Sequence, residues 1–222
     1  MKKQIFGDSK EINKKIYYIY MKSLYESILS STDAGRESLI QSIETWLKKY
    51  GIKLYTINDK LEVNLLGGAN LDKKDLKELP SYIQFGVVRG DFFCSYNKLT
   101  TLRGFPKEVR GHFFCNYNQL TTLEGAPKEV RGKFYCIGNL LTSLEGAPEK
   151  VGEIFDCSDN KLSSLKGAPK EVGWDFDCSH NKLKSLKGAP IKAGNFKCGY
   201  NTTKFTKDDV KKVCKVEDDI YV

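Results

Sequence analysis

Phe113-Phe114-Cys115-Asn116-Tyr117-Asn118-Gln119-Leu120-Thr121-Thr122-Leu123-Glu124-Gly125-Ala126-Pro127 is the stretch whose reading decides the fold. Its cysteine recurs as Cys94, Cys115, Cys136, Cys157, Cys178 and Cys198, at intervals of 21, 21, 21, 21 and 20 residues. An asparagine follows each cysteine by three positions: Asn97, Asn118, Asn139, Asn160, Asn181 and Asn201. Leucines stand two and five positions after the asparagine in the first five units, from Leu99 and Leu102 to Leu183 and Leu186. Each of these units turns through Gly-x-Pro. A valine then precedes the next Phe by four residues, whereas the last interval, Ala193 to Phe196, is three.

In Phe113-Phe114-Cys115 successive side chains point to opposite faces, the period of a strand. A strand this short cannot bury its apolar face alone, so a fixed 21-residue period predicts stacked coils whose like strands form a parallel sheet. The asparagine can bond backbone groups where the chain turns inward, and Gly-x-Pro ends the return segment. The inward cysteines read as small apolar packing residues. There is no C-x-x-C pair and the chain has only two histidines, so no metal site is expected.

Written from the strand, the unit F-x-C-x-x-N-x-L-x-x-L-x-G-x-P resembles the leucine-rich repeat L-x-L-x-x-N-x-L. The likeness is to the short form found in bacterial effectors and, with this Cys and Gly-x-Pro, in proteins encoded by large bacteriophages. It implies an α+β chain: a leucine-rich-repeat solenoid with a parallel β-sheet on the concave face, preceded by a small helical and hairpin domain. The family is united by scaffold and not by chemistry. Effectors of this type can carry a ubiquitin-ligase domain, which is not expected in the 16 residues after Thr206.

The expected divisions are 1–66, 67–206 and 207–222. Leu71, Leu76 and Leu79-Pro80 repeat the spacing of Cys94, Leu99 and Leu102, so 67–83 reads as a degenerate first coil ahead of six repeats. Before it, Ile16, Tyr20, Leu24 and Ile28, and then Leu39, Ile43, Trp46 and Leu47, recur at helical spacing. Gly51 is placed to end the second helix, and 54–57 with 61–65 around Asn58-Asp59 predicts a hairpin. This segment either shields the first coil's open edge or carries a separate partner site. At the far end Thr203 and Thr206 replace the leucines, 207–215 reads as a short capping helix, and Cys214 lies outside the ladder as a packing residue.

The formal charge is +8, with most of the basic excess in the middle of the chain: residues 81–206 hold 18 Lys and Arg against 12 Asp and Glu. No secretory leader and no apolar run of about 18 residues is found, so a reduced, cytoplasmic setting is expected, in the host cytoplasm if the protein is phage-encoded.

With Phe and Cys inward, the residues between them face out and vary. One column reads Phe93, Phe114, Tyr135, Asp156, Asp177, Lys197, and a second, two after the cysteine, reads Tyr96, Tyr117, Gly138, Asp159, His180, Tyr200. The face is aromatic first and acidic later, with Asp175 adding to the acidic half. A third column, Arg89, Arg110 and Arg131, gives way to Gly152 and Gly173, and His112 stands among the aromatics as a contact residue. Two readings stand for the aromatics: a ladder that stabilises the sheet, and an exposed patch that marks an interface. The acidic residues read as solvated charges that complement a basic partner.

No catalytic constellation is present. His180 near Asp159 and Asp177 lacks a nucleophile at a strained turn, and Gly67-Gly68 is no phosphate loop. The expectation is therefore a non-enzymatic protein-binding module, without cofactor, small-molecule substrate or membrane. Its contact residues are Phe93, Tyr96, Phe114, Tyr117, Tyr135, His112, Arg89, Arg110, Arg131, Asp156, Asp159 and Asp177. The resemblance extends this to a phage-encoded inhibitor of a host or antiviral defence factor. Arginine beside aromatics keeps nucleic acid or a ribonucleoprotein as the alternative partner, and a structural virion component is a further one.

Overall fold

The computed structural model describes residues 32–222. The chain forms two compact units, Met1–Lys49 and Tyr50–Val222. In the first unit the described residues form helix α1, Asp33–Lys49, with Asp33 in its first turn and Lys48 and Lys49 in its last, charges that suit the helix dipole. Ile43, Trp46 and Leu47 lie on its buried stripe. Gly51, at φ +70°, takes the left-handed conformation that follows a helix end. The other expected helix, on Ile16, Tyr20, Leu24 and Ile28, falls outside the described residues.

The second unit is a parallel β-solenoid of about eight turns. It opens with an antiparallel hairpin, β1 (Tyr55–Ile57) and β2 (Val63–Leu65), paired Tyr55 to Leu65. The Asn58 side chain closes the turn by accepting the N–H groups of Lys60 and Glu62, each at 2.9 Å. The hairpin is continuous with the coils, because β2 pairs in parallel with β4 (Phe85–Val88).

The sequence reading puts one sheet on the coils; the structure has two. The first runs from the hairpin through β4, β6 (Glu108–Val109), β8 (Glu129–Val130), β10 (Lys150–Val151), β12 (Glu171–Val172) and β14 (Lys192–Ala193) to β16 (Lys215–Val216). The second contains β3 (Ala69–Asn70), β5 (Phe92–Phe93), β7 (Phe113–Phe114), β9 (Phe134–Tyr135), β11 (Phe155–Asp156), β13 (Phe176–Asp177), β15 (Phe196–Lys197) and β17 (Ile220–Tyr221). The extra sheet forms because each Glu-Val pair also alternates outward and inward. Val109, Val130, Val151 and Val172 are buried beneath outward Glu and Lys. A third side of each coil, from the asparagine through the leucines to Gly-x-Pro, carries no strand.

Like residues stack upon like. The inward rings of Phe92, Phe113, Phe134, Phe155, Phe176 and Phe196 follow one another with centroids 5.1 to 5.9 Å apart. All six are fully buried, each contributing on the order of 2 kcal/mol of transfer free energy. The asparagines clamp neighbouring coils. The Asn118 amide donates to the carbonyls of Cys94 at 3.0 Å and Cys115 at 3.1 Å, and its oxygen accepts Leu99 N–H at 3.0 Å. The cysteine thiols are free and buried, each Sγ from Cys94 to Cys178 lying 3.2 to 3.4 Å from a carbonyl of the next coil. Burial pushes their ionisation well up, which removes the thiolate on which metal or redox chemistry depends.

The Phe-x-Cys spacing stops at Cys198, yet the sheets continue. Helix α2, Lys207–Lys211, starts on a capping box: Thr206 Oγ1 accepts Asp209 N–H at 3.2 Å and Asp209 accepts Thr206 N–H at 3.1 Å. Beyond it β16 pairs with β14 and β17 with β15, which adds a rung to both sheets. Phe205, Val210, Cys214 and Ile220 complete the core there. Among the described residues no helix is long and apolar enough to cross a membrane.

Candidate interaction face

The outward column of the second sheet holds Phe93, Phe114, Tyr135, Asp156, Asp177 and Lys197 in strict register, each half-buried. Phe93 and Phe114 rings lie 5.2 Å apart, Phe114 and Tyr135 4.6 Å. His112 stacks on Phe114 at 5.7 Å while its Nδ1 accepts the Lys133 N–H at 3.0 Å, so the imidazole is fixed in place from two sides. The aromatics therefore form a ladder along the sheet, their faces largely covering one another and each ring left half-buried on its outer side.

Below Tyr135 the strip turns acidic. Asp156 and Asp177 are register neighbours, each accepting from a serine two residues on: the N–H at 2.9 Å and the hydroxyl at 2.6 Å. Burial, and then the charge of Asp177, push the Asp156 carboxyl up to about 6. Burial also raises the Tyr135 phenol, helped by Asp156 and Asp175. Asp175 is a different case. Burial acts to raise it, but hydrogen bonds from Lys197 and Asn195, both at 2.7 Å, outweigh that and hold it below the usual carboxylate value. Lys197 is bonded to Asp175, and as the register neighbour of Asp177 it also offsets part of the charge of Asp177 and Asp156.

The second column is not part of the strand. Tyr96, Tyr117, Asp159, His180 and Tyr200 all have positive φ, between 51° and 56°, and Gly138 has φ +65°. The chain makes a left-handed corner here, which lets the next residue, the asparagine, swing into the core. A non-glycine residue pays roughly 1 kcal/mol for that backbone. Tyr96 and Tyr117 stack at 4.9 Å, Lys73 lies over Tyr96 at 5.4 Å, and His180 stacks on Tyr200 at 4.4 Å. The Tyr117 ring also lies flush on Gly138, where an added Cβ would come within 2.5 Å of it. Asp159 stands exposed on this corner between Gly138 and His180, away from the Asp156 and Asp177 pair. Among the described residues no group of three His, Cys, Asp or Glu side chains is placed to hold a metal.

The arginines sit on the opposite corner, between the two sheets, and two of them turn to the first sheet. Arg110 Nε is 3.0 Å from Glu108, and Arg131 is 3.7 Å from Glu108 and 3.8 Å from Glu129. Arg89 is exposed, and its register column carries Val87 in place of that glutamate. The column ends for a backbone reason. The corner needs a glycine where successive coils touch, at Gly90, Gly111 and Gly132 in the arginine coils. In later coils the glycine moves one place earlier, to Gly152 and Gly173, where any Cβ would strike the carbonyl oxygen of the coil above. Arg-Gly becomes Gly-Glu and then Gly-Trp, which leaves Trp174 55% exposed on this corner. Sequence reasoning passed over Trp174, although the shifted glycine was its signal.

Comparison of the chain with protein-family models, curated proteins and solved structures finds no match in any of the three.

Proposed function

We propose that the protein is a non-enzymatic protein-binding module of the short leucine-rich-repeat kind, and that it binds through the outward strip of the second sheet and its tyrosine corner. The observation that carries this reading is a contrast between the two sheets. On the first sheet the outward residues of the middle rungs alternate in sign, Glu129, Lys150, Glu171, Lys192, and like charges meet only at its ends, Glu108 beside Glu129, where Arg131 lies against both, and Lys192 beside Lys215. On the second, like sits on like over its central rungs: three aromatics in succession, then two carboxylates, where burial first and the charge of Asp177 second raise Asp156. Like charges directly opposite destabilise a sheet, so the pattern serves something other than the fold. An apolar strip leading to three carboxylates, Asp156, Asp175 and Asp177, that share the single Lys197 suits a protein surface that is apolar at one end and basic at the other.

The resemblance of the unit to phage-encoded repeats extends the reading to a host or antiviral defence factor as the partner, and to a role as its inhibitor. Free nucleic acid fits the face less well. Base stacking needs open ring faces and phosphate binding needs free arginine, whereas here rings cover rings and Arg110 and Arg131 lie against glutamates.

The test is affinity capture from host extract, with the chain and its Phe114→Ala/Tyr117→Ala/Tyr135→Ala variant as parallel baits. A protein retained by the former and lost by the latter, with circular dichroism unchanged, is the expected result. Equal retention by both refutes this face.

A further inference from the structure

The side of the coils that carries no strand has a distinct electrostatic character near the C-terminal end. Residues 161–215 contain thirteen lysines and five acidic residues. Of the five, Asp177 and the adjacent Asp175 lie at the second sheet, Glu171 lies on the first, and Asp208 and Asp209 are in the first turn of α2. Asp209 is occupied by Thr206 and Lys212. Lys161, Lys182, Lys184 and Lys187 are exposed on the strandless side, and no carboxylate pairs with them among the described residues.

The fold also opens a cleft there. In three of the coils above, the turn at Leu123, Leu144 and Leu165 donates its N–H to a carbonyl of the following coil, at 3.2 to 3.3 Å. The last turn has the same shape, since Ala189 N–H bonds Leu186 O at 3.0 Å just as Ala168 bonds Leu165. Below it, however, the chain leaves the stack to form α2, so the Leu186 N–H has no coil to donate to. The space between the turn and α2 amounts to roughly 660 Å³. Leu186, Phe205 and Val213 give it an apolar floor; Lys184 and Lys187 stand at its rim, and on the α2 side Asp209 also lines it, with its charge met by Lys212 at 3.3 Å.

We propose that this cleft is a second binding site, which takes an acidic peptide segment of a partner protein. An apolar side chain of the segment rests on Leu186, Phe205 and Val213, its carboxylates meet Lys184 and Lys187, and one of its carbonyls accepts the Leu186 N–H. A peptide fits better than a polyphosphate chain. Phosphate contacts call for a wet basic track, whereas this cleft pairs a basic mouth with an apolar floor and a backbone donor. The site is independent of the aromatic strip and lies on another side of the coil.

The test is fluorescence anisotropy on the full chain with three labelled probes: a short peptide with one phenylalanine flanked by glutamates, its all-glutamate counterpart, and a single-stranded oligonucleotide of equal charge. The phenylalanine peptide should bind saturably and weaken with salt. Replacing its phenylalanine, or introducing Lys184→Glu/Lys187→Glu, should each lower affinity by about tenfold or more. The Phe114→Ala/Tyr117→Ala/Tyr135→Ala variant should bind the probe unchanged. Three results overturn the proposal: absence of saturable binding, indifference to the lysine substitutions, and equal binding of all three probes, which means polyanion attraction only.

Discussion

Replacing Asn139 with leucine tests the inter-coil clamp that makes this chain a solenoid. Asn139 is 4% exposed. Its amide donates to Cys115 O and Cys136 O, both at 3.0 Å, and to Ile137 O at 3.4 Å, while its oxygen accepts Leu120 N–H at 3.2 Å. These four groups do not suffer equally on its removal. Cys115 O keeps the Asn118 amide, Cys136 O keeps that of Asn160, and Ile137 O keeps the Tyr117 N–H. Leu120 N–H alone is orphaned in the interior, at about 1–3 kcal/mol, and the remaining lost donors add about 1 kcal/mol net. Asn139→Leu should therefore lower the unfolding free energy by about 3 kcal/mol, read as a shift of the urea midpoint at nearly constant slope. Asn139→Asp should be worse, because its second oxygen would face three carbonyls. Asn201→Leu, on the half-buried penultimate rung, should cost about 1 kcal/mol, since terminal coils have fewer neighbours to uncouple. A cost below about 0.5 kcal/mol at Asn139, or a larger one at Asn201, would refute the accounting.

Asp156→Asn should stabilise the protein at neutral pH and not at acid pH. The carboxyl titrates near 6 in the fold against an ordinary 3.8, so the folded state binds the proton more tightly. Stability is therefore fully retained below about pH 4 and declines as pH rises toward 6, by up to about 3 kcal/mol at 1.36 kcal/mol per unit. Melts of both proteins at pH 4 and pH 7.5 check this, and an advantage of the variant that is independent of pH would contradict it. The corner glycine can be tested by moving it. Gly152→Arg alone should destabilise by about 1–3 kcal/mol or more through collision with the Arg131 carbonyl, whereas Gly152→Arg/Glu153→Gly, which rebuilds the Arg-Gly corner, should recover most of that loss. Thermal unfolding of the pair decides it, and equal melting of single and double variants removes the close-approach argument.

The period of Phe113, Cys115, Asn118 and Leu120 made the coil legible, because an inward column repeated every 21 residues has little choice but to stack. The hairpin around Asn58-Asp59 was legible for a similar reason, since local turn chemistry needed no tertiary context. The first sheet was harder to see. Each rung contributes only two residues, such as Glu108-Val109, and two residues show no alternation by themselves. The corner at Tyr96 and Tyr117 was misplaced because tyrosine is a poor indicator of positive φ; Gly138 and Asp159 in the same column were the informative members. Arg110 was grouped with the aromatics by sequence proximity, whereas its place on the corner just past the Glu108–Val109 strand lets it reach back to Glu108. The final rung at Lys215 and Ile220 lost its signature because α2 replaces the leucine turn that would have kept the count.

The triple substitution on the aromatic strip is interpretable because the columns that hold the fold and the columns that face out are separate. The inward positions barely vary: phenylalanine from Phe92 to Phe196, cysteine from Cys94 to Cys198, asparagine from Asn97 to Asn201. The outward position of the same strands runs from phenylalanine through aspartate to lysine with no break in register. A rung that accepts Phe114, Asp156 or Lys197 at one place has no structural need for any of them. Truncating Phe114 and Tyr135 forfeits ring stacking of about 1 kcal/mol per pair, and Tyr117→Ala leaves the corner φ to be borne by another non-glycine residue. That loss has a counterpart with no bearing on the strip: Glu129→Ala/Lys150→Ala/Glu171→Ala on the first sheet, whose alternating charges interact across solvent-exposed rungs. If the partner is lost on the second-sheet variant and kept on the first-sheet variant while both stay folded, binding belongs to the aromatic strip. Loss on both would assign it to the coil as a whole, and the contrast between the sheets would then have no functional meaning.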